Sequence, residues 1–191
     1  MTSSPVDGKK DRIPVVENMD EWGERFEAGW LAYVKQNVVG VPDASPDWDL
    51  YKGARNRQTP AGKGIDLSKS RLLLVSSAGG SLISANQPFD AEHVISDPTI
   101  RAFPASTPLS DVRFDHTHYD HAAIDVDSQV QLPLRHLEDM AADGTIGELT
   151  DNVVNFSGYQ PDIRIIANEI APRILDAARE EKADAALLVP A

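Results

Sequence analysis

Aromatic residues recur at helical spacing near the start of the chain, with polar residues between them. The stripe consists of Trp22, Phe26, Trp30 and Tyr33. It predicts an amphipathic helix from about Asp20 to Val38, whose aromatic side serves ordinary packing. Residues 1–19 are polar and have no sustained period, which predicts a flexible arm. Residues 40–64 are rich in glycine and proline, which predicts a long connecting loop. The helix and this loop together form a segment of residues 20–64.

Farther along, short apolar runs alternate with longer segments of helical period. Arg71–Ser77 is a continuous apolar run typical of a buried parallel strand, and Val112–Phe114 and Val153–Phe156 predict two more strands. His93–Pro104 alternates loosely, which predicts a short strand or an extended loop. Ala185–Val189 predicts a further buried strand.

Two helical segments lie among these strands. Pro133 predicts a helix start and Gly144 its end. The buried stripe predicted for this helix is Leu134, Leu137 and Met140. Residues 162–182 keep helical phase, but Pro172 interrupts them, which predicts a kink or two short helices. Residues 65–191 therefore predict an α/β domain with an open, mainly parallel sheet and crossover helices, doubly wound and Rossmann- or flavodoxin-like.

Composition narrows the class of protein. A chain of 191 residues with 41% hydrophobic content is long enough for one well-buried domain. The formal charge of −12 repels polyanions, so we expect no nucleic-acid partner. No apolar run has the length of a signal peptide or a membrane span, so we expect no membrane partner and a cytoplasmic location. The absence of cysteine excludes disulfides, thiolate metal sites and a thiol nucleophile within these residues.

The carboxyl edge of an open α/β sheet is where ligands usually bind. The residues predicted to lie at that edge are Ser76, Ser77, Gly79, Gly80, Gly158 and Tyr159. The glycines either cradle an anionic group with their backbone amides or form an ordinary tight turn. Asp97 and Arg101 are further candidates, because the Arg101 guanidinium either clamps a substrate carboxylate or forms an ordinary ion pair.

The segment Val112–Leu132 holds three of the five histidines and four carboxylates. His116, His118, Asp120 and His121 spell H-x-H-x-D-H, the metal-ligating pattern of metallo-β-lactamase-like hydrolases. That class needs further downstream histidine and aspartate ligands, whereas only His136, inside a predicted helix, remains. A third interpretation is a loop in which imidazoles and carboxylates satisfy one another.

An ordered series of short motifs extends over about residues 65–191. The series is RLLLVSSAGG, SDPTIRAFP, the block from His116 to Asp127, LPLRHLEDMAADGTIGEL, FSGYQPD and ADAALLVPA. It resembles the glycine/sarcosine/betaine/D-proline reductase selenoprotein B family. Members of that family carry a redox-active selenocysteine, or cysteine, just after the strand that corresponds to Ala185–Val189.

The resemblance implies a component of a selenocysteine- or thiol-dependent reductase that cleaves a C–N bond of a small amino acid or amine. It also implies a pocket wall made of His118, Tyr119, Asp120, His121 and Asp127. On this interpretation His118 or His121 protonates the departing amine, and Asp120 orients the imidazole or holds a substrate ammonium. The implied partners are a small nitrogen-containing substrate, other reductase subunits or a thioredoxin-like reductant, and further copies in a homo- or hetero-oligomer.

The sequence printed here stops where the family has its redox residue. We expect a codon after Ala191 that specifies selenocysteine and is taken as a stop, so that the 191 residues alone are inactive. No other cofactor is expected within them. The alternative is a non-catalytic subunit that binds substrate or a partner.

Overall fold

The computed structural model describes residues 16–39, 55 and 64–191, and the chain divides into two units, Met1–Gly64 and Ile65–Ala191. In the first unit, α1 runs from Met19 to Val39 and confirms the predicted helix. The ring centroids of Trp22 and Phe26 lie 4.9 Å apart, those of Phe26 and Trp30 lie 5.6 Å apart, and all three side chains are buried. The stripe therefore packs, as predicted. Most of the predicted arm and of the connecting loop lies outside the described residues.

The second unit contains all of the strands in the described part of the chain. In chain order they are β1 (Arg71–Ser76), β2 (Gly80–Leu82), β3 (Ile100–Pro104), β4 (Val112–Phe114), β5 (Glu148–Leu149), β6 (Asn152–Phe156) and β7 (Ala185–Val189). Strands β2 and β4 form a separate antiparallel pair. The others form one sheet around β1, to which β5, β6 and β7 are all parallel.

The sheet is mixed because β3 runs antiparallel to β6. The segment between Leu82 and Ile100 forms turns and contains no helix, so the chain enters β3 without the crossover that a parallel strand requires. The predicted α/β class is therefore confirmed at the level of a mixed sheet with helices.

Four short α-helices belong to this unit. They are α2 (Ala122–Val126), α3 (Leu134–Ala142), α4 (Ile163–Ile165) and α5 (Ala171–Glu180). Helix α3 begins after Pro133 and gives way to Gly144 at φ +82°, as predicted. The predicted stripe was wrong at Met140, which is 36% exposed in the last turn. Within the part of the chain that the structure describes, no helix combines the length and apolarity needed to cross a membrane.

The interruption predicted at Pro172 takes the form of a π-helical segment. Residues Ile166–Ile170 form this wider turn between α4 and α5, and the Ala171 N–H donates to the carbonyl of Ile166. Proline has no N–H, and its ring crowds the carbonyl four residues earlier in an ordinary helix. A wider turn immediately before Pro172 accommodates the ring, so helical backbone continues from α4 into α5.

The core lies on both faces of β1. On one face, Leu72 and Leu74 pack with Leu134 and Leu137 of α3. On the opposite face, Leu73 and Val75 pack with side chains of α5, among them Ile174 and Ala177. Alternate residues of a strand point to opposite faces, so one continuous apolar run supplies both contacts.

Strand β7 is less covered than its sequence predicted. It pairs with β1, and its Leu187 and Leu188 are 37% and 67% exposed. Leu72 pairs with both Leu149 and Ala185, so β5 and β7 lie on opposite sides of β1 and β7 lies at the edge of the described sheet. The prediction of a buried strand was wrong, because an apolar run does not reveal whether a strand has neighbours on both sides.

Candidate functional site

Three parallel strands end at one edge of the sheet, and Ser77 connects them. The Ser77 N–H donates to the Val189 carbonyl at 3.0 Å, and the Ser77 carbonyl accepts from the Gly158 N–H at 2.8 Å. The Ala191 N–H donates to Ser77 Oγ at 2.8 Å. The segments after β1, β6 and β7 therefore meet at Ser77, and we call Ser77, His116, His118, Gly158 and Tyr159 the edge cluster.

Gly79 allows the histidine segment to approach this edge. Its φ is +69°, and a Cβ at this position would lie 2.8 Å from the backbone nitrogen of His116. The Gly79 N–H donates to the Phe156 carbonyl, and its carbonyl accepts from the Asp115 N–H, both at 3.0 Å. Because that amide is already bonded, Gly79 serves as a turn and a point of close packing, and it is not available as an anion cradle.

His116 is the most buried member of the cluster. Its side chain is only 4% exposed, and a Cβ at Gly158 would lie 3.1 Å from both His116 Nε2 and Ser77 Oγ. Burial, together with repulsion from His118 and His121, lowers the pKa of His116 from 6.5 to about 4. The imidazole is therefore neutral at neutral pH and lies against the same glycine as the Ser77 hydroxyl.

His118 joins the histidine segment to the end of β6. Its ring stacks on Tyr159 with a centroid distance of 3.9 Å and an interplanar angle of 4°. The His118 N–H donates to His116 Nδ1 at 3.3 Å, which fixes the neighbouring imidazole. The His118 side chain is exposed, so it can exchange protons with solvent beside the cluster.

Tyr119 and His121 also lie beside His116. Their ring centroids lie 4.4 Å apart, and Tyr119 meets His116 edge-on at 5.1 Å. His121 Nε2 lies 2.8 Å from the His116 carbonyl, a distance at which the ring nitrogen donates. Burial and the charge of Asp125 raise the pKa of Tyr119 to about 12. Tyr119 is therefore a neutral phenol in this packing, and the bonded nitrogen of His121 is occupied.

The two predicted carboxylates have local contacts. Asp120 accepts from the Ala122 N–H at 2.9 Å, at the start of α2. Asp127 accepts from the Gln129 N–H at 2.9 Å and caps the turn Ser128–Val130. Both are exposed, and no contact between described residues joins Asp127 to the histidines. These aspartates shape the loop around the edge cluster.

The H-x-H-x-D-H motif does not converge on one point. His118 stacks on Tyr159, His121 binds a carbonyl, and Asp120 accepts from the Ala122 N–H. Across the described residues, no group of three or more histidine, aspartate or glutamate side chains is arranged to hold a metal ion. The motif spacing alone therefore does not produce the ligand geometry of a metallo-β-lactamase-like site.

Asp97 lies in the loop before β3, Arg101 lies in β3, and the loop is tied to the end of β6. The Gln160 side-chain amide donates to the Asp97 carbonyl at 2.9 Å and to the Ser157 carbonyl at 3.0 Å. Burial raises the pKa of the Asp97 carboxyl group. Hydrogen bonds to it, first of all from Thr99, lower the pKa by more, so the pKa lies below its ordinary value. These bonds make the loop a fixed wall near Tyr159.

The Arg101 guanidinium is already occupied. It donates to the carbonyls of Gln87 and Pro88 at 3.1 and 3.2 Å, bonds to Thr99, and lies 3.6 Å from an Asp97 oxygen. The guanidinium carbon also lies 4.4 Å from the Phe89 ring centre. In this arrangement it forms an internal ion pair, and it has little capacity left to clamp a substrate carboxylate.

Sequence reasoning missed two buried polar residues, Asn155 in β6 and Ser157 just after the strand. Asn155 and Ser157 are fully buried, and among the described residues neither the Asn155 amide atoms nor the Ser157 hydroxyl has a hydrogen-bond partner. A Cβ at Gly80 would lie 2.5 Å from Asn155 Oδ1, so the predicted Gly80 makes room for this amide. Ser76 is buried and accepts from the Ala78 N–H at 3.2 Å. A polar residue inside the apolar run NVVNF was the available signal.

Comparison with protein-family models, with curated proteins and with solved structures gives no match for this chain.

Proposed function

We propose that this chain is a component of a selenocysteine- or thiol-dependent reductase that cleaves a C–N bond of a small amino acid or amine. The proposal joins the resemblance to the selenoprotein B family with the geometry of the edge cluster. It includes a cytoplasmic location and association with other reductase subunits or a thioredoxin-like dithiol.

The hydrogen bond from the Ala191 N–H to Ser77 Oγ carries the proposal. The resemblance implies a selenocysteine or cysteine directly after Ala191, and a residue there would begin beside Ser77. Ser77 shares the face of Gly158 with the neutral imidazole of His116. A small polar edge at the end of parallel strands is a common position for a nucleophile, which supports the assignment.

The balanced reaction consumes a dithiol. The substrate ammonium first loses one proton to solvent; the amine R–NH2, two thiols and one proton from the protein then give R–H, an ammonium ion and one disulfide, so the substrate carbon is reduced and the thiols are oxidised. The selenolate or thiolate of the residue proposed to follow Ala191 would supply the attacking atom. This chain supplies the wall, and it supplies a proton for the departing nitrogen.

His118 is the better proton donor of the two candidates. It is exposed and lies on Tyr159, the residue after Gly158, whereas His121 Nε2 is bonded to a carbonyl. Above its pKa of about 4, His116 is mainly neutral, and a neutral imidazole is a much weaker proton donor than an imidazolium. We therefore assign the donation to His118, whose backbone N–H donates to His116 Nδ1 at 3.3 Å and holds the neutral His116 imidazole beside it.

The finer fold assignment belongs to the same proposal. A doubly wound sheet of the Rossmann or flavodoxin type is supported by α3 and α5, which pack on opposite faces of β1. The antiparallel β3 departs from the fully parallel form.

A reductase assay tests the role of His118. A chain that carries cysteine or selenocysteine directly after Ala191 is mixed with dithiothreitol and candidate amines, and ammonium release is measured. His118→Ala is expected to lower kcat about 100-fold at neutral pH, because a positioned proton donor typically contributes that much. The pH profile of kcat should also lose the limb due to this imidazole.

His136→Ala is the matched control, because His136 is an exposed histidine on α3. Its kcat should equal that of the parent chain. Equal losses in the two variants would contradict the assignment to His118. No ammonium release from any candidate amine by the extended parent chain would contradict the reductase itself.

A further inference from the structure

An apolar cavity of about 380 Å³ adjoins the edge cluster at Ser77. It lies between the end of β7 and the helical segment that contains the π turn. Its floor is formed by Val75 and Ile170, which are 1% and 0% exposed, and its rim includes Leu188, which is 67% exposed. The cavity therefore combines a buried floor with access from solvent, and its volume lies in the range of small-molecule sites.

The lining of the cavity is almost entirely apolar. Ten residues line the cavity, and Ser77 is the only one with a polar side chain. Ser77 Oγ accepts from the Ala191 N–H, and the second lone pair of this oxygen can accept a hydrogen bond from an ammonium group. None of the ten residues carries a charge.

We infer that this cavity binds the hydrocarbon group of an amine that has no carboxylate. The inference rests on the proposed function, because it identifies the substrate class of the same site. The alkyl or aryl group lies over Val75 and Ile170, and the nitrogen-bearing carbon lies toward Ser77, next to the position that follows Ala191.

A carboxylate would be poorly accommodated here. Removing it from water without a cation is costly, and the lining provides no cation. The arginines that neighbour lining residues in the chain are paired within the protein: Arg164 with Asp162 at 2.6 Å, and Arg173 with Glu169 at 3.5 Å. Glycine, sarcosine, betaine and D-proline all carry a carboxylate, so the cavity selects against them.

The charge of the chain favours the cationic end of such a ligand. The formal charge of −12 attracts a protonated amine and repels a carboxylate. An alkylamine therefore satisfies both the apolar floor and the electrostatic field.

Binding to the 191-residue chain tests the inference without turnover. Isothermal titration calorimetry or ligand-observed NMR is used with propylamine, butylamine, pentylamine and benzylamine, and with glycine and betaine for comparison. Each added methylene is expected to lower Kd about fourfold until the cavity is filled. Glycine and betaine are expected to bind at least about tenfold more weakly than pentylamine.

Two substitutions on neighbouring residues of β7 locate the site. Leu188→Ser removes apolar surface from the rim and should raise the Kd for pentylamine about tenfold. Leu187→Ser makes the same change on the opposite face of the strand, outside the cavity, and should leave Kd unchanged. Equal effects of the two substitutions, no dependence on chain length, or glycine binding as tightly as pentylamine would each overturn the inference.

The same measurements separate this inference from the proposed reductase. Amine binding that depends on Leu188, together with no C–N cleavage by the extended chain, would contradict the reductase and leave the cavity assignment intact. Cleavage of glycine or betaine, together with amine binding that does not depend on chain length, would support the reductase and contradict the cavity assignment.

Discussion

Gly79→Ala is expected to lower the free energy of unfolding by about 3 kcal/mol or more, whereas Gly144→Ala should cost about 1 kcal/mol. Both glycines have positive φ, +69° and +82°. A Cβ at Gly144 would meet nothing within 4 Å, but a Cβ at Gly79 would lie 2.8 Å from the backbone nitrogen of His116. Backbone atoms cannot move aside as a flexible side chain can, so the excess cost at Gly79 measures the close approach of the histidine segment.

Urea unfolding followed by circular dichroism gives both values. Gly144→Ala is the matched control because it imposes the same left-handed strain without the collision. Equal destabilisation by the two substitutions would mean that His116 does not lie against Gly79 in solution.

Lowering the pH should reduce the free energy of unfolding, because His116 is buried in its neutral form. Its folded pKa of about 4 lies below its ordinary value of 6.5, so the unfolded chain binds this proton more readily. The stabilisation is complete above pH 6.5 and is lost as the pH falls toward 4. The free energy of unfolding falls by about 3 kcal/mol because of this group, since each unit of difference between the folded and unfolded pKa corresponds to roughly 1.4 kcal/mol.

His116→Gln provides the comparison, because glutamine keeps a polar side chain but does not titrate. The variant should lose about 3 kcal/mol less stability than the parent between pH 6.5 and 4. The other ionisable groups are the same in both chains, so their contributions largely cancel in the difference. An NMR titration of the His116 ring gives an independent value, and a midpoint near 6.5 or parallel stability curves would contradict the buried neutral imidazole.

The sequence predicted the elements better than their surroundings. The apolar run of β1 and the proline and glycine at the two ends of α3 carried strong local signals, and the structure confirms both elements. The run AALLV in β7 was equally apolar, but its burial depends on neighbouring strands that no local pattern encodes. The direction of β3 was also hidden, because it follows from the absence of a crossover helix before it.

For the edge cluster, the sequence predicted which residues were chemically suited but not how they were oriented. The spacing of His116, His118 and His121 placed three imidazoles in one loop, yet it suggested a shared metal as readily as separate roles. The stack of His118 on Tyr159 joins distant parts of the chain, so no spacing rule reveals it. The buried Asn155 amide was missed because hydrophobic periodicity assigns a strand and does not examine its exceptions.

Mass spectrometry of the protein from its native host tests the central proposal most directly. The peptide that begins at Ala183 contains β7 and whatever follows Ala191. The proposal predicts a selenocysteine or cysteine immediately after Ala191. A native chain that ends at Ala191, or that continues there with a residue lacking a selenol or thiol, would contradict it.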